Sequence, residues 1–455
     1  MTAVASNDVT RSPALLIDLY ELAMAQAYWA ENMTETAVFS LFFRTMPANR
    51  NVMLACGQQT LLRDIGNLHF TAEDLEHLRS LKMFQEGFLG WLSRFRFSGR
   101  IRAMPEGTPV FPDEPILEVE APIAEAQLLE SLAMNTIHLQ TILASKAVRL
   151  VEAANGRPVV DFGMRRMHGQ DAALTGTRAY AVAGLAGTSN VLGGALHDLP
   201  VKGTMAHSFV QAHSNEAEAF RTYASLYPGT TLLVDTYDTH GAVISIIEML
   251  RANPDLNISA IRLDSGDLNR EARLCRRLLD DAGLTDISIL ASSGLDEHSI
   301  ADLVANDAPI DGFGVGTAIG TSVDAPSLDL AYKLTEYDGK PRLKSSPGKL
   351  TLPGRKQVYR YNDKDGRITH DLIAGDAEQP APPGTSAEPL LRAVMEQGDV
   401  IESAMVSAST SADTTQAAFR RLPASVRSTT TQARFRVDVS EFLKKLQRQT
   451  LAQLI

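Results

Sequence analysis

The chain is short of cysteine, of positive charge and of long uncharged apolar runs, and each shortage removes a class of protein. Only Cys56 and Cys275 occur, far apart and in no CxxC arrangement. That leaves no basis for a disulfide scaffold or a cysteine zinc site. Lys and Arg number 43 against 54 Asp and Glu, a formal net charge of −11. Nucleic-acid surfaces and anionic lipid both demand a positive field, so neither partner is expected. An anionic substrate stays open, because a few cations can dominate one cleft. The longest uncharged stretch, 179–196, is full of Gly, Ser, Thr and Asn and would cross a membrane poorly. The opening MTAVASNDVT lacks a basic region, and the apolar run after Pro13 is broken by Asp18 and Glu21. No secretory signal is read there, and a cytoplasmic protein is expected.

What is present is ordinary globular material. With 455 residues, 44% hydrophobic and 21% charged, the chain has about three domains' worth of length and ample core. A helix is expected over 12–31, with Ser12 as N-cap and Pro13 opening it. A strand is expected at VFSLFFR (38–44), a helical region from Thr71 to Phe95, short strands over 97–121, and one or two helices over 123–155. Beyond residue 330, Asp–Gly turns predict hairpins. Residues 374–389 read as a solvated linker, 407–416 as a Ser/Thr-biased stretch, and 440–455 as an amphipathic helix.

The middle of the chain is the most informative part. Short apolar runs feed DFGMRR, DTYDTHG, RLDSGD, ASSG and DGFGVGT in turn. Asp235, Asp264, Ser293 and Gly316 are spaced by 29, 29 and 23 residues, each about one strand–helix unit. Each polar cluster follows the apolar run, at the strand's carboxyl end, where α/β folds build their sites. The pattern favours a barrel over a doubly wound open sheet. Gly314, Gly316 and Thr317 could bring N–H groups to a phosphate, or could serve packing alone. Asp264 could hold a ribose or magnesium, whereas Asp267 fits a helix cap. Phe162, Arg165 and Arg166 could stack on a flat ring and grip an anion. His207 and His213 are six apart, which is not a helical metal pair. From these residues alone, the reading is a barrel enzyme acting on something phosphorylated.

Taken in order, IDLYELAMAQAY (17–28), FFRTMP (42–47), DFGMRR (161–166), LAGTSNVLGG (185–194), KGTMAHSFV (202–210), LLVDTYDTHGA (232–242), IRLDSGDL (261–268), FGVGTA (313–318) and TLPGRKQVYR (351–360) resemble the nicotinate phosphoribosyltransferase family. The resemblance implies an α/β fold: the incomplete barrel of the type II phosphoribosyltransferases with a second α+β domain. In the implied division, 1–130 forms an N-terminal α+β domain completed by 331–400, 131–330 the barrel, and 401–455 a mostly helical extension. The implied reaction joins nicotinate to phosphoribosyl pyrophosphate with ATP and Mg2+. It gives nicotinate mononucleotide, pyrophosphate, ADP and phosphate, in NAD salvage, on a homodimer with shared sites.

Residue roles follow from the same resemblance. His207 would be the phosphorylated histidine, with Asp264 and Arg165 in the catalytic set. Phe162 and the partner subunit's Tyr20 would sandwich the pyridine ring, with Arg262 near its carboxylate. Nicotinamide-using relatives carry an acidic residue where Ser189 stands, so Ser189 favours nicotinate. Arg165, Asp235, Ser292, Ser293, Gly294, Gly314, Gly316 and Thr317 would hold the phosphoribosyl group, and Asp235 or Asp264 the magnesium of the pyrophosphate. Arg166 and the loop with Arg355 and Lys356 could add positive charge to the cleft. The loop ANRNVMLACG after FFRTMP is poorer in glycine than the family pattern, which puts its contact role in question. The rivals are a nicotinamide- or quinolinate-using relative and a non-catalytic nucleotide-binding barrel.

Overall fold

Alternation of short apolar strands with capped amphipathic helices builds the central layer. In a computed structural model, which describes residues 13–346, 350–379 and 386–453, a six-stranded sheet runs in the order Gly187–Thr188, Val159–Asp161, Gly312–Val315, Ser288–Ala291, Ile258–Leu263, Thr230–Leu233. Every pairing in it is parallel. Of these six strands, the last in chain order therefore pairs with the first, Phe313 opposite Val159, as closure of a barrel requires. A single bridge from Thr188 to Val201 extends one edge. No pairing joins that edge to Thr230–Leu233 among the described residues, so the barrel is incomplete.

Helices cover the outside. Asp238, Asp267 and Asp296 each accept backbone N–H groups at helix starts, so Asp267 does act as a cap. The helix Leu268–Asp281 buries only Ala272, Cys275 and Leu279, a single stripe facing the sheet.

A seven-stranded antiparallel sheet forms the second layer. It joins Thr36–Phe43, Arg100–Ala103 and Leu117–Pro122 to Leu330–Tyr337, Lys340–Pro341, Arg392–Glu396 and Asp399–Val400, so segments from before and after the barrel share one sheet. The hairpin turn has Asp338 at φ 52° and Gly339 at φ 66°, both positive as a two-residue hairpin loop requires. The helix Glu130–Ala153 ties the layers together. Its Leu132, Ile137 and Ile142 sit in the core of the antiparallel sheet, and Leu143, Ala147 and Leu150 in that of the barrel.

Some local expectations change. The first helix starts at Leu19, after a short turn at Pro13–Leu15, because Asp18 in extended conformation begins it; Ser12 lies outside the described residues. The region from Thr71 to Phe95 is two helices, Ala72–Ser80 and Glu86–Leu92, separated where Lys82 turns to φ 55°. The expected linker is partly sheet: strand Ile368–Gly375 enters it and Ala387–Pro389 pairs at its far end, while 380–385 lie outside the described residues.

The Ser/Thr-biased stretch is a helix, Ala408–Arg421. Ser407 caps it, and Thr414 and Thr415 return their hydroxyls to the carbonyls of Thr410 and Ser411. Val437–Val439 then adds a parallel strand beside Ile368–Gly375, so the C-terminal segment completes a four-stranded sheet. Lys356 is buried against Glu118, and Arg355 pairs with Glu120 and Glu336, so in this chain both charges are met within the antiparallel layers. No described helix is long and apolar enough to cross a membrane.

Candidate active site

The barrel's polar clusters gather at the carboxyl ends of its strands. Val159–Asp161 ends in Asp161, a buried carboxylate to which the sequence reading gave no role. Its Oδ1 accepts the Gly163 N–H at 2.7 Å, and its Oδ2 the Thr188 hydroxyl at 2.7 Å. Its carbonyl oxygen accepts the Ser189 N–H at 2.8 Å. Burial raises the Asp161 carboxyl above the ordinary range, opposed by the bonds from Thr188 and Gly163. One residue thus ties the turn carrying Phe162 to the turn carrying Ser189.

Phe162 donates its N–H to the Val315 carbonyl at 2.8 Å. Its ring lies over Gly314, where a Cβ would come within 2.4 Å of the ring's Cε2, so only glycine leaves the ring its place. The Arg262 guanidinium carbon stands 5.9 Å from the Phe162 centroid. Burial lowers the Arg262 pKa, Asp264 and Asp235 oppose that, and Arg165 lowers it further. Arg262 Nε is buried without a hydrogen-bond partner among the described residues, while Nη2 lies 3.4 Å from the Met205 carbonyl. A half-buried guanidinium with a free donor is suited to an anion. Arg165 is exposed on the turn Met164–Arg166, close enough to Arg262 to act as a second cation.

The segment that follows the Thr188–Val201 bridge carries His207, the first residue of the short helix His207–Gln211. Its Nδ1 is 3.2 Å from Thr236 Oγ1, and its Nε2 is 3.6 Å from Asp264 Oδ2. Thr236 was not foreseen as a contact. Asp235 Oδ2 accepts the Asp264 N–H at 2.8 Å and the Ser265 hydroxyl at 2.6 Å. Asp235 Oδ1 is buried without a partner among the described residues. Asp264 Oδ1 accepts the hydroxyl of Ser292, which is itself buried. His207, Asp235, Asp264 and Ser292 therefore form one connected cluster.

Beyond Ser292 the chain turns outward. Ser293 has φ 91° and Gly294 φ 60°, and both are exposed. Positive φ is uncommon at a residue with a Cβ, and at Ser293 it shapes the turn beyond Ser292. Gly314, Gly316 and Thr317 line the neighbouring turn. A Cβ at Gly163 would sit 3.0 Å from the Gly316 carbonyl, so this turn packs back to back with that of Phe162.

Tyr20 is the outlier. It is half exposed on the helix Leu19–Ala30, beside an open groove of about 690 Å³ that Asp18, Glu130, His138 and Lys333 also line. Its described interactions are with Glu130, Glu21 and Asp18, none of them at the barrel end.

Comparison with known proteins identifies the family. Residues 15–138 match the profile of the nicotinate phosphoribosyltransferase N-terminal domain, and 158–346 that of the nicotinate phosphoribosyltransferase family. A Mycobacterium tuberculosis nicotinate phosphoribosyltransferase is 50% identical over 386 residues, covering 85% of this chain and 82% of its own. The chain belongs to the nicotinate phosphoribosyltransferase family. A Bacillus subtilis nicotinate phosphoribosyltransferase is 41% identical over 378 residues, covering 81% of this chain and 77% of its own. Among solved structures, human nicotinic acid phosphoribosyltransferase superposes with a TM-score of 0.83 at 27% identity, covering 95% of this chain and 99% of its own.

In this chain the barrel end brings together Phe162, Arg165, Ser189, His207, Asp235, Arg262, Asp264, residues 292–294 and the Gly314 turn, whereas Tyr20 lines the groove with Glu130 and Lys333. Asp161 and Thr236 each sit beside a more conspicuous residue. The signal for Asp161 is position, a polar residue closing an apolar strand; Thr236 lies beyond its strand's end, after Asp235, and carries no such signal.

Proposed function

We propose that this protein is a nicotinate phosphoribosyltransferase in the full sense. It would condense nicotinate with 5-phosphoribosyl 1-pyrophosphate to give nicotinate mononucleotide and pyrophosphate, driven by ATP hydrolysis through phosphohistidine at His207. The observation that carries this reading is the His207 ring held between the Thr236 hydroxyl and the Asp264 carboxylate. A neutral ring nitrogen attacks the γ-phosphorus of ATP, a nitrogen–phosphorus bond forms and ADP leaves. Asp264 stabilises the positive charge the ring acquires. The phosphoryl group then passes to water.

Phe162 stacks on the pyridine ring, worth about 0.5–1.5 kcal/mol beyond area burial. Arg262, with its free Nε, takes the ring's carboxylate, and Ser189 presents no acidic side chain to repel it. An Asp about 4 Å from that carboxylate would cost roughly 4 kcal/mol at an effective dielectric of 20. This favours nicotinate over its amide and speaks against the nicotinamide-using rival. Ser293, Gly294, Gly316 and Thr317 receive the 5′-phosphate, with Arg165 nearby. The transition state is oxocarbenium-like, so positioning and charge dominate. The residues fit magnesium, since Asp235 offers an unpartnered buried oxygen beside Asp264, and hard cations take oxygen. Bound there, the ion would neutralise charge on the pyrophosphate.

Tyr20, exposed and away from this chain's barrel end, would complete the nicotinate slot of the partner subunit in a homodimer. The reaction would serve cytoplasmic NAD salvage. Incubation with γ-labelled ATP tests the central step. Acid-labile label is expected on the protein and absent from His207→Ala; no label, or label retained in His207→Ala, removes the phosphohistidine.

A further inference from the structure

A ladder of buried charges lies behind the two turns assigned to the phosphate. Glu297, fully buried, opens the helix three positions after Gly294 and is held by Lys146 and by Arg149 Nε at 2.8 Å. Asp324, beyond the Gly316 turn and its short helix, is gripped by Arg50 through Nε at 3.0 Å and Nη2 at 3.1 Å. Arg50 also bonds the Ser322 hydroxyl at 2.6 Å and the Ile142 carbonyl at 3.1 Å. Each carboxylate thus has its own arginine. Among the described residues Lys146 alone touches both, reaching Asp324 Oδ1 at 2.9 Å as well as Glu297.

We infer that Lys146 is a positioning residue for the phosphate-bearing substrate, bridging Glu297 and Asp324 so that the 292–294 and 314–317 turns stand at a fixed separation. The inference rests on the phosphoribosyl reading of those turns. Three features support it beyond simple packing. Lys146 is 1% exposed on the helix Glu130–Ala153, so its ammonium is brought into the interior for these two contacts. The two carboxylates it joins belong to separate strand–helix units, one after Ser288–Ala291 and the other after Gly312–Val315. Ser293 at φ 91° has an uncommon backbone for a residue with a Cβ, and it lies four residues before the bridged Glu297.

Burial alone would raise both carboxyls, yet Arg50 and Lys146 hold Asp324 well below the usual carboxylate range. Lys146 and Arg149 likewise lower Glu297. Asp296 also feels Lys146, but its carboxylate caps its own helix through His298 and Ser299. Arg50 gives the loop after FFRTMP a role: it faces the ladder and is buried.

Lys146→Met tests the bridge with little change in volume, and leaves Arg149 on Glu297 and Arg50 on Asp324. Ribose 5-phosphate, titrated by calorimetry, reads the phosphate turns without any turnover. The expected result is about a tenfold weaker dissociation constant and a similar rise in KM for phosphoribosyl pyrophosphate. KM for nicotinate should stay near wild type, even though the melting temperature falls as Glu297 loses a buried partner. Lys146→Arg, which keeps a cation within reach of both carboxylates, should recover most of the loss. Asp324→Asn opens the same bridge from its other end and should reproduce the loss if Lys146→Met does not fold. Unchanged ribose 5-phosphate binding, or a uniform decline of every constant with melting temperature, would overturn the inference. Wild-type protein that forms no nicotinate mononucleotide would overturn the functional reading instead, and the calorimetry would still decide the bridge.

Discussion

Asp161 is the residue whose removal tests the site's construction most directly. Asp161→Ala strips the acceptors from the Gly163 N–H and the Thr188 hydroxyl, both bonded at 2.7 Å. A buried donor left unpaired costs about 1–3 kcal/mol, so two cost about 2–6 kcal/mol, against a total stability of the order of 5–15 kcal/mol. Removing a carboxylate that burial disfavours returns part of this. Asp161→Asn should be milder. Its carbonyl oxygen can keep the Gly163 bond while its NH2 faces Thr188. The Thr188 oxygen already accepts the Asn190 N–H at 3.0 Å, and with two lone pairs it can accept again. Only the hydroxyl proton loses its partner, about 1–3 kcal/mol.

The functional cost should be larger than the stability cost, because the turns of Phe162 and Ser189 then lose their common anchor. A displacement near 1 Å is enough for roughly a hundredfold in rate. Urea denaturation and steady-state kinetics with varied nicotinate are the assays. The expected order in both is wild type, Asn, Ala. An Ala variant within about 0.5 kcal/mol of wild type and with unchanged kcat/KM for nicotinate would refute the reasoning.

Two further outcomes follow from close contacts and burial. Gly314→Ala pushes a methyl to 2.4 Å from the Phe162 ring and should raise KM for nicotinate roughly three- to tenfold by displacing the stack; an unchanged KM would mean the ring is not a binding surface. Glu21 is fully buried with Oε2 unpartnered among the described residues, and burial pushes its carboxyl up to about 7, against 4.5 ordinarily. A folded-state pKa above the unfolded one gives stability that is complete below 4.5 and is lost as pH rises through 7. Glu21→Gln should therefore leave stability unchanged near pH 4.5 and raise it by up to about 3 kcal/mol near pH 8. Parallel denaturation midpoints for both proteins across that range would defeat the assignment.

The parts of this protein legible in its sequence are those governed by local rules. Strand–helix spacing told of a parallel barrel because each unit must cross the sheet and return, which takes a nearly constant length of chain. Asp–Gly turns told of hairpins because the loop needs positive φ. Helix limits were read less well where local cues competed: Lys82 breaks one amphipathic pattern, and a Ser/Thr-rich stretch is helical because its hydroxyls bond back along the helix. His207 and Asp264 were legible as residue types, but their meeting was not. They lie on different units, and the Thr236 contact spans 29 residues.

Composition, spacing and motif order by themselves determined the chemistry available: few cysteines, a handful of placed arginines, one conspicuous histidine, and polar clusters at strand ends. Only the tertiary structure decided the pairings. It brought Arg50 to Asp324 across 274 residues and Lys146 to Glu297 across 151. It also set Tyr20 in a groove with Asp18, Glu130 and Lys333. Local sequence sets conformation through sterics and nearby hydrogen bonds. Which distant charges are buried together depends on how the sheets close, and that is a property of the whole chain.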